Sequence, residues 1–202
     1  FDVTHMGILG IEGDNSANFL NSITTNYVFG LKKGQSQYSY ILDPDGNVMD
    51  DVLVYCLNLN KFMLVVNAAN NDKIKQWITA VNEGNVMIDR PMPVKKIEGR
   101  VTIKDLKCEE AKADCKADIA LQGPKSLELV RRLLPDREDV RQLMLLRKFE
   151  FMSSKVGRIP VIISRTGYTG ADIGCEFYVH PDSAVKLWKL ILDEGNRFGV
   201  TP

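Results

Sequence analysis

The stretch from Gln35 to Tyr55 (QSQYSYILDPDGNVMDDVLVY) leaves the chain little choice of local structure. Two runs rich in β-branched and aromatic residues flank the cluster Asp43-Pro44-Asp45-Gly46, the pattern of a β-hairpin. Pro44 presets φ for the first central turn position, and Gly46 suits the exit. A loop of those four residues sets Leu42 opposite Asn47 and, counting back, Tyr38 opposite Asp51. Directly opposed residues have Cβ atoms ~5 Å apart. Side chains alternate along a strand, so Met49, Asp51, Leu53 and Tyr55 share one face. Asp50 points the other way with Val52 and Val54 and reads as a bystander. Asp51 then sits among a phenol, a thioether and aliphatic groups. Such surroundings perturb a carboxylate and mark a functional candidate. The other reading is a polar residue at a sheet edge.

A chain of 202 residues makes one large domain or two small ones and buries a sizeable core. The 26 basic and 26 acidic residues cancel, and no Lys/Arg run exceeds two. Nothing therefore points to a nucleic acid or an anionic membrane as partner. No apolar run approaches the ~20 residues of a membrane span, and no signal-peptide pattern opens the sequence. Cys56, Cys108, Cys115 and Cys175 form no C-x-x-C pair, so a reducing compartment is expected, with no disulfide framework and no metal site. Both ends fall beside regular elements, and a fragment of a longer chain is expected.

Read in order, Phe1 to Gly13 is strand-like, and Asp14 is placed to cap a helix with Ala17, Phe19, Leu20 and Ile23 inward. A strand over Phe62–Asn67 leads to a helix with Ile74, Trp77, Ile78 and Val81 at i, i+3, i+4, i+7. Asn70 or Asn71 suits its start and Gly84 its end. Val86–Asp89 and Val101–Leu106 read as strands. The composition turns to charge at Cys108–Lys116, which sets a domain boundary, 1–108 and 109–202. Beyond it come a strand at Asp118–Gln122 and a helix opened by Gly123-Pro124. Strands follow at Lys148–Val156, Ile159–Arg165 and Gly174–His180, then a helix from Pro181. The class is α+β: two mixed α/β lobes, the second a split βαβ, ferredoxin-like arrangement. No heptad, low-complexity tract or strong internal repeat is visible.

No Walker loop, H-E-x-x-H, G-x-S-x-G or C-x-x-C occurs. The glycines of Arg165-Thr-Gly-Tyr168-Thr-Gly170 serve either a tight turn or close approach of backbone to a ligand. Asn67, ending a strand, either caps the next helix or binds ligand. Glu176 shares a strand face with Tyr178. It is either simply exposed or accepts two N–H bonds from a planar heterocycle. His5 either shapes a pocket or makes a structural hydrogen bond, and His180 reads as solvated.

Taken together, Asp2-Val-Thr-His-Met-Gly7, Thr24-Thr-Asn26, Gly34-Gln35, Tyr38-Ser39, Asp50-Asp51, Val65-Val-Asn-Ala68, Ala120-Leu-Gln-Gly-Pro124 and Ser164-Arg-Thr-Gly-Tyr-Thr-Gly170 resemble, in order and spacing, the aminomethyltransferase family, the T-protein of the glycine cleavage system. Tyr27 departs from it, standing where the family usually has an acid. Leu9-Gly10 falls where apolar substrate contacts vary. The Ala171–Gly174 loop is one residue longer than usual, so matching Glu176 to the family's pterin-binding glutamate needs one gap. The family's arginine pair has no counterpart here.

The resemblance implies a three-domain, folate-binding cloverleaf of which this chain is the N-terminal and central part, without the C-terminal domain. It implies Asp51 as catalytic carboxylate, with Met6, Tyr38, Tyr55, Asn67, Tyr168 and Glu176 lining a tetrahydrofolate site. It implies an activity that moves the methylene of an aminomethyl group on a lipoylated H-protein to tetrahydrofolate, with release of ammonia. The location implied is the cytoplasm in bacteria or the mitochondrial matrix in eukaryotes. The isolated fragment is expected to be inactive. The alternative is a folate-binding module of a related protein, such as a dimethylglycine or sarcosine dehydrogenase or an iron–sulfur maintenance protein.

Overall fold

The computed structural model describes residues 1–167 and 173–202, and it divides into two compact units. One is Met6–Ala111; the other joins Phe1–His5 to Lys112–Pro202. The units part between residues 111 and 112, whereas the sequence reading sets its boundary after residue 108, and the first five residues go with the later unit.

The Met6–Ala111 unit contains strand β1 (Gly7–Glu12), helix α1 (Ser16–Ile23), strands β2 (Ser36–Leu42), β3 (Val48–Asn58) and β4 (Lys61–Val66), helix α2 (Asn71–Glu83) and strand β5 (Thr102–Asp105). They form an antiparallel sheet in the order β2-β3-β4-β1-β5. Val52, Val54, Leu64 and Val66 line one face and pack with Phe19 and Leu20 of α1 and Ile74 and Ile78 of α2. The other face carries Ile8, Leu53, Tyr55, Met63 and Val65, which are buried too. Burial of each large apolar side chain contributes ~1.5–3 kcal/mol. Gly84 closes α2 in the left-handed conformation, as its position predicts. Asp14 does not cap α1; it accepts from Asn60 Nδ2 at 2.8 Å. Val86–Asp89 forms no strand. There the Asp89 side chain accepts the Met92 N–H at 3.3 Å, a loop bond ahead of Pro93.

The second unit contains β6 (Ala117–Gln122), α3 (Ser126–Leu133), α4 (Arg137–Leu145), β7 (Phe151–Val156), β8 (Ile159–Ser164), β9 (Gly174–Val179) and α5 (Pro181–Gly195). Its sheet order is β6-β9-β8-β7, antiparallel throughout. Strands β6 and β8 therefore run parallel with β9 inserted between them, the split βαβ arrangement. Leu129, Val130, Leu187 and Ile191 cover the face made by Ile119, Ile163, Phe177 and Val179. Helix α4 went unread in the sequence; Asp136 caps it by accepting the Asp139 N–H at 2.9 Å. The outer edge of β6 is taken by the first residues of the chain. Asp2 bridges Ile119, and Phe1 and Ala120 exchange bonds of 2.8 and 2.9 Å.

A repeat that the sequence does not display is plain in the topology. Each unit runs strand, helical segment, three-strand meander, helix, and each has an antiparallel segment on the outer edge of its first strand: β5 in one, the bridge at Asp2 in the other. Each first strand is followed by Gly-x-x-Ser, whose serine opens the next helix. Gly13 and Gly123 take φ of +124° and +118°, and their carbonyls accept the N–H of Ser16 and Ser126 at 3.0 Å. A positive φ at that corner is why glycine stands there in both copies. Among the described residues no helix is long and apolar enough to cross a membrane.

Candidate functional site

Register in the β2–β3 hairpin differs from the four-residue-loop expectation. Asp43 Oδ1 accepts the N–H groups of both Asp45 and Asn47 at 2.9 Å, which draws Asn47 into the loop. Leu42 then pairs with Val48, and an irregularity at Met49 pairs Ile41 with Asp50 and Tyr40 with Asp51. Tyr38 faces Leu53 instead of Asp51. The slip is two residues, and an even slip leaves every side chain on its expected face. Tyr38 still reaches Asp51 diagonally, donating from its hydroxyl to Oδ2 at 3.1 Å.

β2 is an edge strand, and the Thr24-Thr25-Asn26 motif holds its free side. Thr24 bridges Ile41, Thr25 N–H donates to the Tyr40 carbonyl at 3.0 Å, and Asn26 Nδ2 donates to the Tyr38 carbonyl at 3.0 Å. The rings of Tyr38 and Tyr40, so fixed, meet edge to face at 5.3 Å and are both partly open to solvent. The neighbouring Tyr40 hydroxyl, then partial desolvation, then the Asp51 carboxylate hold the Tyr38 phenol well above its ordinary pKa. It stays protonated and donates.

Asp51 is half-buried, whereas Asp50 is only 3% exposed. Asn67, the residue after β4, touches both acids. Its Nδ2 lies 2.7 Å from Asp51 Oδ1, 3.1 Å from the Asp51 carbonyl and 2.9 Å from Asp50 Oδ1. Asp50 also accepts the Asn67 backbone N–H at 3.0 Å and Asn70 Nδ2 at 2.6 Å. Neither asparagine caps α2 with its side chain, so the capping alternative for Asn67 falls away. Asp50 is no bystander: it is the centre of a buried hydrogen-bond cluster. Met6 directly precedes β1, whose first residue Gly7 pairs with Val66, beside Asn67. Tyr55 lies on Asp51's face of β3 but is fully buried, so it supports the face from beneath.

In the second unit Glu176 is 4% exposed, so the simple-exposure alternative is wrong. Central β9 has β6 on one side and β8 on the other, with Ala120 and Ser164 as Glu176's partners. Thr166 Oγ1 donates a short hydrogen bond to Glu176 Oε2, and the Tyr178 hydroxyl donates at 3.3 Å. The Gln122 side chain packs on the Gly167 and Gly174 backbone: a Cβ added at Gly174 would lie 2.2 Å from its Oε1. Two separate sequence motifs are thus one packing unit. Tyr168 lies outside the described residues. His180 is not merely solvated: it precedes α5, with Nδ1 accepting the Asp182 N–H at 3.3 Å and Nε2 3.1 Å from the Lys112 carbonyl.

Tyr40, Asn70 and the bonding of Asp50 were missed in the sequence, although strand alternation alone sets Tyr40 beside Tyr38. Cavities of about 600 and 360 Å³ lie at the hairpin loop near Trp77 and Arg90 and at the start of α3, and neither includes Asp51 or Glu176. Chemistry, not concavity, marks this site. A half-buried carboxylate bonded at both oxygens, beside two partly exposed phenol rings, suits a planar ligand that develops positive charge.

Residues 1–202 match the family described as the GCVT N-terminal domain. The chain is 35% identical over its whole length to the aminomethyltransferase of Bacillus subtilis and 37% identical to that of Bacillus licheniformis. It spans about half the length of these curated relatives, 49% and 48%. The crystal structure of glycine cleavage system aminomethyltransferase T from Bartonella henselae superposes with a TM-score of 0.72 at 25% identity, over 95% of this chain and 44% of that one. A heterotetrameric sarcosine oxidase from Corynebacterium sp. U-96 matches at TM-score 0.60 and 13% identity, over 100% of this chain and 85% of that one, a likeness of fold alone.

Proposed function

From the membership of this chain in the GCVT N-terminal domain family, we propose that the protein containing it is a tetrahydrofolate-dependent aminomethyltransferase of the glycine cleavage system. The observation that carries the reading is the half-buried Asp51 carboxylate, held by Asn67 at one oxygen and by Tyr38 at the other. The substrates are the aminomethyl-lipoyl arm of a carrier H-protein and tetrahydrofolate, and the bacterial relatives favour a cytoplasmic setting.

Tetrahydrofolate supplies the nitrogens that take the methylene carbon. Carbon leaves its bonds to nitrogen and sulfur, so the products are 5,10-methylenetetrahydrofolate, ammonia and the dihydrolipoyl carrier. Asp51 orients the folate nitrogen and stabilises the positive charge that develops as the carbon–nitrogen bond breaks. Tyr38 and Asn67 hold that carboxylate. Tyr40 adds an aromatic wall. Glu176, kept in place by Thr166 and Tyr178, accepts N–H bonds from the pterin edge, strengthened by its charge. Met6 and Tyr168 contribute contacts to the folate, and Tyr55 supports the floor under Asp51.

The complete protein, given aminomethylated carrier and tetrahydrofolate, should release ammonia and free dihydrolipoyl thiol in equal amounts. Folate binding without carrier-dependent ammonia release would favour a non-catalytic folate module.

A further inference from the structure

Two adjacent acids share one amide. The Asn67 Nδ2 group has two hydrogens and three acceptors: Asp50 Oδ1, Asp51 Oδ1 and the Asp51 carbonyl, at 2.9, 2.7 and 3.1 Å. Turned end for end, the amide would set its oxygen against both carboxylates. The pair of acids therefore fixes which way it points. Asp50 does more of this than Asp51, because it also accepts the Asn67 backbone N–H and so grips that residue twice. Asn70 stands at the N-cap of α2 yet makes no side-chain cap bond; its amide is turned instead to Asp50. At 3% exposure Asp50 is out of reach of any ligand.

We propose that Asp50 is a positioning residue of the reaction: it fixes the Asn67 amide, and through that amide it sets the direction of the Asp51 carboxylate. The proposal rests on Asp51 being the catalytic carboxylate. A misplacement of ~1 Å can cost ~100-fold in rate, so a residue two hydrogen bonds removed is felt in turnover. Asn70 belongs to the same arrangement, one step further out.

The test is a double-mutant cycle in the complete protein, assayed with aminomethylated carrier and tetrahydrofolate and accompanied by thermal melts. Asp50→Asn should lower kcat about tenfold, less than Asp51→Asn, and leave both KM values within about twofold. Asn67→Ala should lower kcat as well, and the double variant should be no slower than Asn67→Ala alone, because Asp50 acts through that amide. Asn70→Ala loosens Asp50 without altering Asn67 or Asp51, and should show a smaller fall in kcat with KM unchanged. It carries the test if Asp50→Asn fails to fold. A lowered melting temperature with unchanged kcat, in Asp50→Asn or in its place Asn70→Ala, would make the role structural and overturn the proposal. So would a full additional tenfold loss from Asp50→Asn in the Asn67→Ala background. If Asp51→Asn itself kept wild-type kcat, the catalytic reading of Asp51 would fail, a result distinct from either of these.

Discussion

Asp51→Asn removes one charge and almost nothing else. An asparagine oxygen placed where Oδ1 stands keeps the 2.7 Å bond from Asn67, and its amide then faces the Tyr38 hydroxyl, which can rotate to accept. The fold should be undisturbed, with a melting temperature close to that of the wild type. The rate should not be. A unit charge pair ~4 Å apart interacts by ~4 kcal/mol at an effective dielectric of 20. Partial exposure of Asp51 screens part of that, leaving ~2–3 kcal/mol. At ~1.4 kcal/mol per decade, kcat/KM should fall roughly 30- to 150-fold. Single-turnover release of ammonia from aminomethylated carrier, at saturating and at limiting tetrahydrofolate, reads the loss directly. It should lie in kcat, because the charge it answers exists only as the bond breaks. A loss under about threefold, or one wholly in KM, would show that Asp51 is a binding group and that the electrostatic argument is wrong.

Glu176→Gln should raise the KM for tetrahydrofolate and spare kcat, since its N–H bonds exist in ground and transition state alike; a fall in kcat at saturating folate with KM unchanged would contradict that role. Gly7→Ala should destabilise the protein by ~1–3 kcal/mol in denaturant titration, because the new Cβ would sit 2.1 Å from Asn71 Oδ1 and 2.6 Å from Val66 Cγ2; an unchanged midpoint would mean that α2 yields freely. Burial pushes the pKa of the fully buried Cys175 thiol up to about 12, from an ordinary 9.0. The unfolded state therefore loses this proton first as pH rises, so Cys175 should cost stability progressively between pH 9 and 12. Maleimide should accordingly label Cys175 at pH 8 only on unfolding, and rapid labelling of the native protein would refute its burial.

Much of this was legible in the chain. The turn residues at 43–46 gave the hairpin, and alternation sorted Asp51 from Asp50, because a side-chain period of two survives an even slip in register. The register itself was not legible, since it depends on whether the Asp43 side chain captures Asn47, a choice between loops of similar energy. The bond from Asn70 to Asp50 joins residues 20 apart, and helix-start statistics point that asparagine to the wrong partner. The burial of Glu176 was hidden for a related reason. A polar residue between apolar neighbours reads as the wet face of a two-sided strand, but β9 is central and both its faces are buried. The repeat escaped because only a glycine corner and a helix start are common to its copies; Asp51 and Glu176 have no acidic counterparts at the equivalent positions, Pro160 and Met63.

The bridge from Asp2 to Ile119 has a consequence for how such a chain is made. The segment that borders the second sheet leaves the ribosome more than a hundred residues before the strand it joins, and the contact from Phe1 to Ala120 spans 119 positions. During synthesis that segment must wait, unpaired, while the whole Met6–Ala111 unit is completed around its own sheet. Closing so long a loop is slow even though its entropic cost grows only with the logarithm of length. Until it closes, β6 presents an open edge to any neighbouring chain, the geometry from which domain swapping and aggregation begin. Excision at residue 112 would make that vulnerability permanent. A copy of Phe1–His5 placed directly ahead of Lys112 through a flexible linker would instead deliver the edge segment together with its sheet.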